Sequence, residues 1–216
     1  MEDFVSTLAA RLPAGVVQLK QRVTGLERRG AGWRMATDGG GPLDADQVIV
    51  ASESHVAGRL LRYVDPALAT LLGEIPYASS ATVSFGYRRA DVPHALDGFG
   101  FVVPRAEGRA LLACTFSSVK YPGRAPEGHV LLRCFVGGAL NEAILELDDA
   151  ALVARCRDEL RQAMGITAEP VLARLHRWPA AMPQYHLGHL ARVEAIERRV
   201  EALPGLGLAG GAYRGV

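Results

Sequence analysis

Charge of one sign is scarce in this 216-residue sequence, since 24 Lys+Arg against 23 Asp+Glu leave a formal net charge of +1. A nucleic-acid surface needs a concentrated basic face. The densest basic cluster, Arg22 with Arg28 and Arg29, falls around a strand and its turn and reads as a solvated edge, so no nucleic-acid partner is expected. Long apolar runs are missing too: none approaches the ~18 residues of a spanning helix, and the N-terminus lacks the basic and then apolar regions of a signal peptide. Cysteine is sparse. Cys114, Cys134 and Cys156 are odd in number and show no CxxC spacing, which excludes a disulfide framework and reads as free, mostly buried thiols of a cytosolic protein. A soluble, intracellular chain is the expectation.

The familiar catalytic signatures are absent as well. His176, His186 and His189 lie close together, but "HLGH" contains a glycine and has no acid at helical spacing as HExxH would. They read as surface or cap histidines, and no metal is expected. No GxSxG occurs, and the hydroxyl-rich "TFSSVKYPG" lacks a strand-to-helix elbow. Cys114 or Cys134 would need an activating environment to act as a nucleophile. Asp148 and Asp149 sit at a helix start, where capping explains them. No side chain stands out as a catalytic acid or base. Nor does any GxGxxG occur ahead of the closing "GLGLAG" at Gly205–Gly210.

What is present is patterned. Phe4, Leu8 and Leu12 recur at helical spacing in "EDFVSTLAARLPAG". "VVQLKQRVTGLERRG" and "WRMAT" read as a hairpin about "GAG". "QVIVA" is a β-branched run of the kind buried on both faces, and "SESHVAGRLLRYV" follows as a helix with Ser52 or Ser54 as N-cap. From Pro76 the character changes. "SSATVSFGYR", "GFGFVVP", "ALLACTFSS" and "HVLLRCFVGG" are short strands separated by Pro and Gly turns, which predicts an antiparallel sheet between about Ser79 and Val136. In "DDAALVARCRDELRQAMG", Leu152, Val153, Cys156, Leu160 and Met164 form one stripe, with Asp148 as N-cap and Gly165 as the stop. That helix is expected to pack on the sheet. "EPVLARLHRW" is extended, "GHLARVEAIERRVEAL" is helical through Leu190, Val193, Ile196, Val200 and Leu203, and the apolar "LGLA" closes as a strand into Gly210–Gly211. The fold class is therefore α/β with an α+β insertion: an α/β portion built from both ends of the chain, and a sheet-plus-helix portion between.

Taken together, "VTGLERRGAGWRM", "DADQVIVAS", "IPYASSATVSFGYRR", "GFGFVVPRAEGRALLACTFSSVKYPGRAPEGHVLLRCFVGG", "RWPAAMPQYHLGHLARVEAIE" and "LPGLGLAGGAYRGV" resemble the protoporphyrinogen oxidase family of flavoproteins, within the flavin amine oxidase and phytoene desaturase superfamily. The likeness is collinear over essentially the whole chain, and "PQYHLGH" and "GFGFVVP" are distinctive of the porphyrinogen oxidases.

The resemblance implies a partial, Rossmann-like FAD-binding domain at 1–75 and 178–216 and a substrate-binding domain at 76–177. It implies FAD as cofactor, a porphyrinogen as substrate and dioxygen as acceptor. Oxidation of protoporphyrinogen IX is the first expectation. Coproporphyrinogen III oxidation, another flavin-dependent oxidation of the superfamily, and an inactive chain that binds no flavin stand beside it. A cytoplasmic protein is implied, with peripheral membrane association and a homodimer of the intact enzyme among the family's expectations. By position, Val23 stands where a strand backbone pairs with the adenine edge, Trp178 near the isoalloxazine, and Gly210, Gly211, Gly215 and Val216 at the turn by the ribityl and ring end. Phe99 and Phe101 suit the face of a tetrapyrrole. Family members carry GxGxxG in a βαβ unit ahead of these segments and a helix after the final turn, so the chain is expected to be a C-terminal fragment of such an enzyme.

Overall fold

A hairpin, a short strand and two helices come from the first third of the chain. The computed structural model describes residues 2–215. Helix α1 (Glu2–Ala10) opens it, followed by β1 (Val23–Arg29) and β2 (Gly32–Thr37), whose turn uses Gly30 at φ 60°. Residues 16–22, expected to be extended, lie outside β1. β3 (Leu43–Ala45) adds antiparallel to β2, so β1 keeps one open edge among the described residues. Trp33 is buried and its Nε1 donates to the Pro204 carbonyl at 3.1 Å. Next come β4 (Val48–Val50), α2 (Ser54–Leu61) and α3 (Pro66–Gly73). Two expectations fail here. Glu53 occupies the N-cap of α2 with no side-chain cap bond, while Ser54 is already helical and buried. Ile49, expected in a doubly buried strand, is 73% exposed, because β4 has a single strand neighbour among the described residues.

The alternation that begins at Pro76 becomes one sheet. β5 (Tyr77–Arg88), β6 (Gly100–Val102), β7 (Leu111–Phe116), β8 (His129–Gly137) and β9 (Leu172–Pro183) stand in the order β6-β7-β8-β5-β9, every pair antiparallel. A short helix α4 (Ser117–Lys120) leaves β7, and α5 (Asp149–Met164) follows β8. The α5 signals all act as read: Asp148 accepts from the Ala151 N–H at 2.8 Å, and Gly165 ends the helix at φ 69°. Leu152, Cys156, Leu160 and Met164 pack on Val83, Phe85, Leu132, Cys134 and Val136 in one core. Strand alternation sends residues of the other parity to the opposite face. The sheet thus has one apolar, helix-covered face and one mixed face, where Leu131 and Phe135 stand beside Arg133.

The chain then makes α6 (His189–Glu201), β10 (Leu206–Leu208) and the helical turn α7 (Gly211–Arg214). Residues up to Ile75 and from Tyr185 on form one compact unit, and Pro76–Gln184 form the other. The second boundary falls after Gln184 rather than after Arg177, because β9 carries the sheet through Pro183. β10 pairs with β4 in parallel, Leu206 opposite Val48. Val23 and Gly210 were expected in one layer. They share a unit, but β1 belongs to the antiparallel hairpin sheet and β10 to the parallel pair. In α6, Val193 and Ile196 are buried as expected, whereas Leu190 is 63% exposed and His189 takes the inward position.

Asp65 ties α3 to α6. Its carboxylate accepts from the Leu68 N–H at 2.9 Å and from Arg199 Nη2 at 2.7 Å. The Arg199 hydrogen bonds hold its pKa below the ordinary 3.8. A carboxyl depressed in the folded state contributes stability that is full above the ordinary value and is lost as pH falls through the folded one. Asp65→Ala should therefore cost about 1–2 kcal/mol at pH 7. The gap from wild type in urea melts should narrow below about pH 4; a gap constant from pH 7 to 3 would contradict this.

Candidate functional site

The terminal turn requires glycine. Gly210 has φ 137° and Gly215 φ 88°, both in the region that side chains disfavour. A Cβ built on Gly210 meets only the Ser52 carbonyl, at 4.0 Å, so it is the backbone angle that excludes a side chain there. Two cavities border this turn. One, of about 400 Å³, is lined by Tyr185, His189, Tyr213 and Gly215 among others. The other, of about 410 Å³, takes in Val200, Leu208, Gly210 and Tyr213. Both lie in the size range of cofactor and small-ligand sites.

Polar contacts brace the turn. The Tyr185 hydroxyl donates to the Gly211 carbonyl. His189 is buried, and its Nε2 lies 3.0 Å from the Tyr213 carbonyl. A carbonyl can only accept, so Nε2 carries a proton. His189 is thus a bracing residue rather than the surface or cap histidine expected. Arg214 pairs with Glu197, and those hydrogen bonds lower the Glu197 pKa. Val216, the last of the expected turn residues, lies outside the described residues.

The other expected contacts divide between the two units. Val23 is half-buried at the start of β1, beside an irregularity in the β1–β2 register, and β1 is the edge strand of its sheet. Trp178 lies on β9 in the sheet unit, 47% exposed, its ring 4.1 Å from that of His176. Phe99 is 66% exposed ahead of β6. Phe101 is half-buried and packs against the helix-covered core, 6.2 Å from Phe116.

The thiols serve the core. Cys114 and Cys134 stand opposite each other on β7 and β8. A hydrogen bond with Cys114, and then burial, push the Cys134 thiol well above its usual range, while burial pushes Cys156 up to about 12. Protonated, inaccessible thiols are poor nucleophiles. No group of His, Cys, Asp and Glu among the described residues has the arrangement of a metal site. No helix among them is long and apolar enough to cross a membrane.

One constellation was missed in the sequence. Thr115, Lys120, Tyr121, Arg124, Arg133 and Phe135 line a cavity of about 210 Å³ in the sheet unit. Its signal was present in "SSVKYPGRAPEGHVLLRCF", where β7, α4 and β8 fold three cations toward one another.

The chain matches the family described as flavin containing amine oxidoreductase over residues 1–215. It is 34% identical to coproporphyrinogen III oxidase of Bacillus subtilis (strain 168) over 217 residues, covering 100% of this chain and 46% of that protein. It is 29% identical to protoporphyrinogen oxidase 1, chloroplastic, of Arabidopsis thaliana, covering 97% of this chain and 41% of that protein. A crystal structure from Exiguobacterium sp. 255-15 superposes with a TM-score of 0.85 at 30% identity, covering 100% of this chain and 47% of that one. The chain thus spans about half the length of the relatives it matches.

Proposed function

The chain belongs to the flavin containing amine oxidoreductase family, and from that premise we propose that it forms part of an FAD-dependent oxidase converting a porphyrinogen to its porphyrin. The observation that carries this reading is the match of nearly the whole chain to proteins named as porphyrinogen oxidases. Protoporphyrinogen IX and coproporphyrinogen III are the two candidate substrates, with dioxygen as acceptor.

The residues present fit part of FAD. The edge strand β1 presents backbone N–H and C=O groups that can pair with an adenine edge at Val23. Gly210, Gly211 and Gly215 give a side-chain-free turn beside cavities of cofactor size. The GxGxxG string at Gly205–Gly210 begins ahead of β10 and runs through it, so it is not the strand-to-helix turn that holds a pyrophosphate. When bound, FAD supplies hydride acceptance, in three two-electron rounds per macrocycle, and reoxidation by dioxygen. The chain's own residues would bind and orient: backbone at Val23 and the glycine turn on the cofactor side, the sheet unit on the substrate side. No side chain is assigned a proton transfer.

The test is a hybrid in which this chain is joined to the first half of the Bacillus subtilis relative. Loaded with FAD and given coproporphyrinogen III or protoporphyrinogen IX prepared without air, it should develop porphyrin fluorescence once air is admitted. A hybrid that holds flavin yet yields no porphyrin from either substrate overturns the reading.

A further inference from the structure

We propose that the cavity lined by Lys120, Arg124 and Arg133 is a binding site for the substrate's carboxylate arms, and that it favours a porphyrinogen with four carboxylates over one with two. The inference rests on the porphyrinogen reading above and deepens it.

Register places the site. Thr115 lies opposite Arg133, Arg133 opposite Ser84, and Ser84 opposite Arg174, so one row across β7, β8, β5 and β9 carries two arginines and two hydroxyls. Core residues Cys134 and Val83 occupy the intervening positions and point to α5, so the row belongs to the open face. Lys120, at the end of α4, and Arg124, in the loop before β8, complete the cationic wall.

Charge makes the case. Three cations and no carboxylate line the cavity. Arg133 has one side-chain partner, the Ser84 hydroxyl, at a long 3.4 Å. Lys120 and Arg124 lean over the Tyr121 ring at 5.5 and 5.9 Å. None of the three, nor Arg174, enters a salt bridge among the described residues. Other arginines of the same unit are matched, among them Arg109 to Glu159, Arg157 to Glu169 and Arg177 to Asp149, and the remaining ones without a salt bridge, Arg88, Arg89 and Arg105, do not line this cavity. Unmatched cations grouped around one concavity repel one another and gain from an anion. Arg133 offers a planar fork that suits a carboxylate, and Lys120 a point charge beside it. A space of about 210 Å³ is too small for the macrocycle and fits its side arms. Coproporphyrinogen III bears four propionates and protoporphyrinogen IX two, so a wall with several cations discriminates between them.

The oxidised porphyrins, coproporphyrin III and protoporphyrin IX, serve as fluorescent probes for titration of the 216-residue chain. Coproporphyrin III should bind more tightly, and raised salt should narrow the difference. Arg133→Gln, which keeps a donor for Ser84, should weaken coproporphyrin III binding about tenfold, the worth of one charge-assisted hydrogen bond. The double variant Lys120→Gln/Arg124→Gln should weaken it further, with protoporphyrin IX affected less. Arg198→Gln, an exposed cation on α6, should change neither. Equal affinity of wild type for the two porphyrins, no binding of either, or coproporphyrin III binding unchanged in variants of native circular dichroism would overturn the site. Turnover is not read here, so an inactive hybrid whose parent chain shows the expected selectivity sinks the oxidase reading alone.

Discussion

Purified alone and mixed with FAD, the 216-residue chain is expected to leave the flavin spectrum that of the free cofactor. The contacts proposed for it are a backbone pair at Val23 and one glycine turn at Gly210–Gly211, each worth about 1 kcal/mol net. Association costs at least ~4 kcal/mol in lost translational and rotational freedom. The most charged part of FAD is the pyrophosphate, which exchanges its water well only for N–H groups at a helix N-terminus, and the GxGxxG string of this sequence, Gly205–Gly210, begins ahead of β10 and runs through it instead of following a strand. The unit that holds the glycine turn also exposes Phe4, Leu19 and Ile49 at 70, 80 and 73%, apolar surface that favours self-association. Gel filtration should show soluble oligomers of the bare chain. The hybrid with a GxGxxG-bearing half should instead purify yellow. Tight stoichiometric flavin binding by the chain alone would reverse this argument.

What the sequence conveyed well was local. Helix α5 was legible end to end because cap, stripe and stop agree: Asp148, the apolar row to Met164, and Gly165. The strands β5 to β8 were legible because alternation and turn residues are both strong. Helix α3 went unread although Asp65 and Pro66 are standard opening residues, since the preceding helix runs close to it. Orientation was harder. In α6 a stripe through Leu190 is as good on paper as one through His189, and the hydrogen bond from His189 to the Tyr213 carbonyl favours the second.

Pairing between distant segments was least legible. The hairpin of "VTGLERR" with "WRMAT" was legible, but nothing in "LGL" says that β10 joins β4. Phe101 suits a ligand by residue type alone, whereas its parity on β6, opposite Cys114, sets it against the core. The cationic cavity was invisible for the same reason. Lys120, Arg124 and Arg133 are unremarkable in sequence and become a site only when β7, α4 and β8 fold together.

The largest loss of stability is expected at Glu159. It lies on the buried side of α5 at 1% exposure, among the residues that make the apolar stripe. Its Oε2 accepts from Arg109 Nε at 2.7 Å, its Oε1 accepts from the Ala110 N–H at 3.1 Å, and Arg155 Nη2 stands 3.0 Å from Oε1. Arg109 also reaches the Glu159 carbonyl. One carboxylate thus pins the entry to β7 onto the middle of the helix, in place of apolar packing. A buried charge of this kind adds little over a well-packed apolar group, yet breaking it is costly, because the partners stay behind. Glu159→Ala leaves the buried Ala110 N–H without its acceptor and Arg109 without its counter-charge, and should cost about 3–5 kcal/mol. Glu159→Gln keeps an oxygen for Ala110 but sets its NH2 against the Arg109 Nε–H, donor against donor, so an intermediate loss of about 2–3 kcal/mol is expected. Urea melts followed by circular dichroism separate the two, and amide exchange at Ala110 localises the effect. If Glu159→Ala melted within 1 kcal/mol of wild type, the apolar stripe alone would be holding α5 to the sheet, and the carboxylate would be incidental to it.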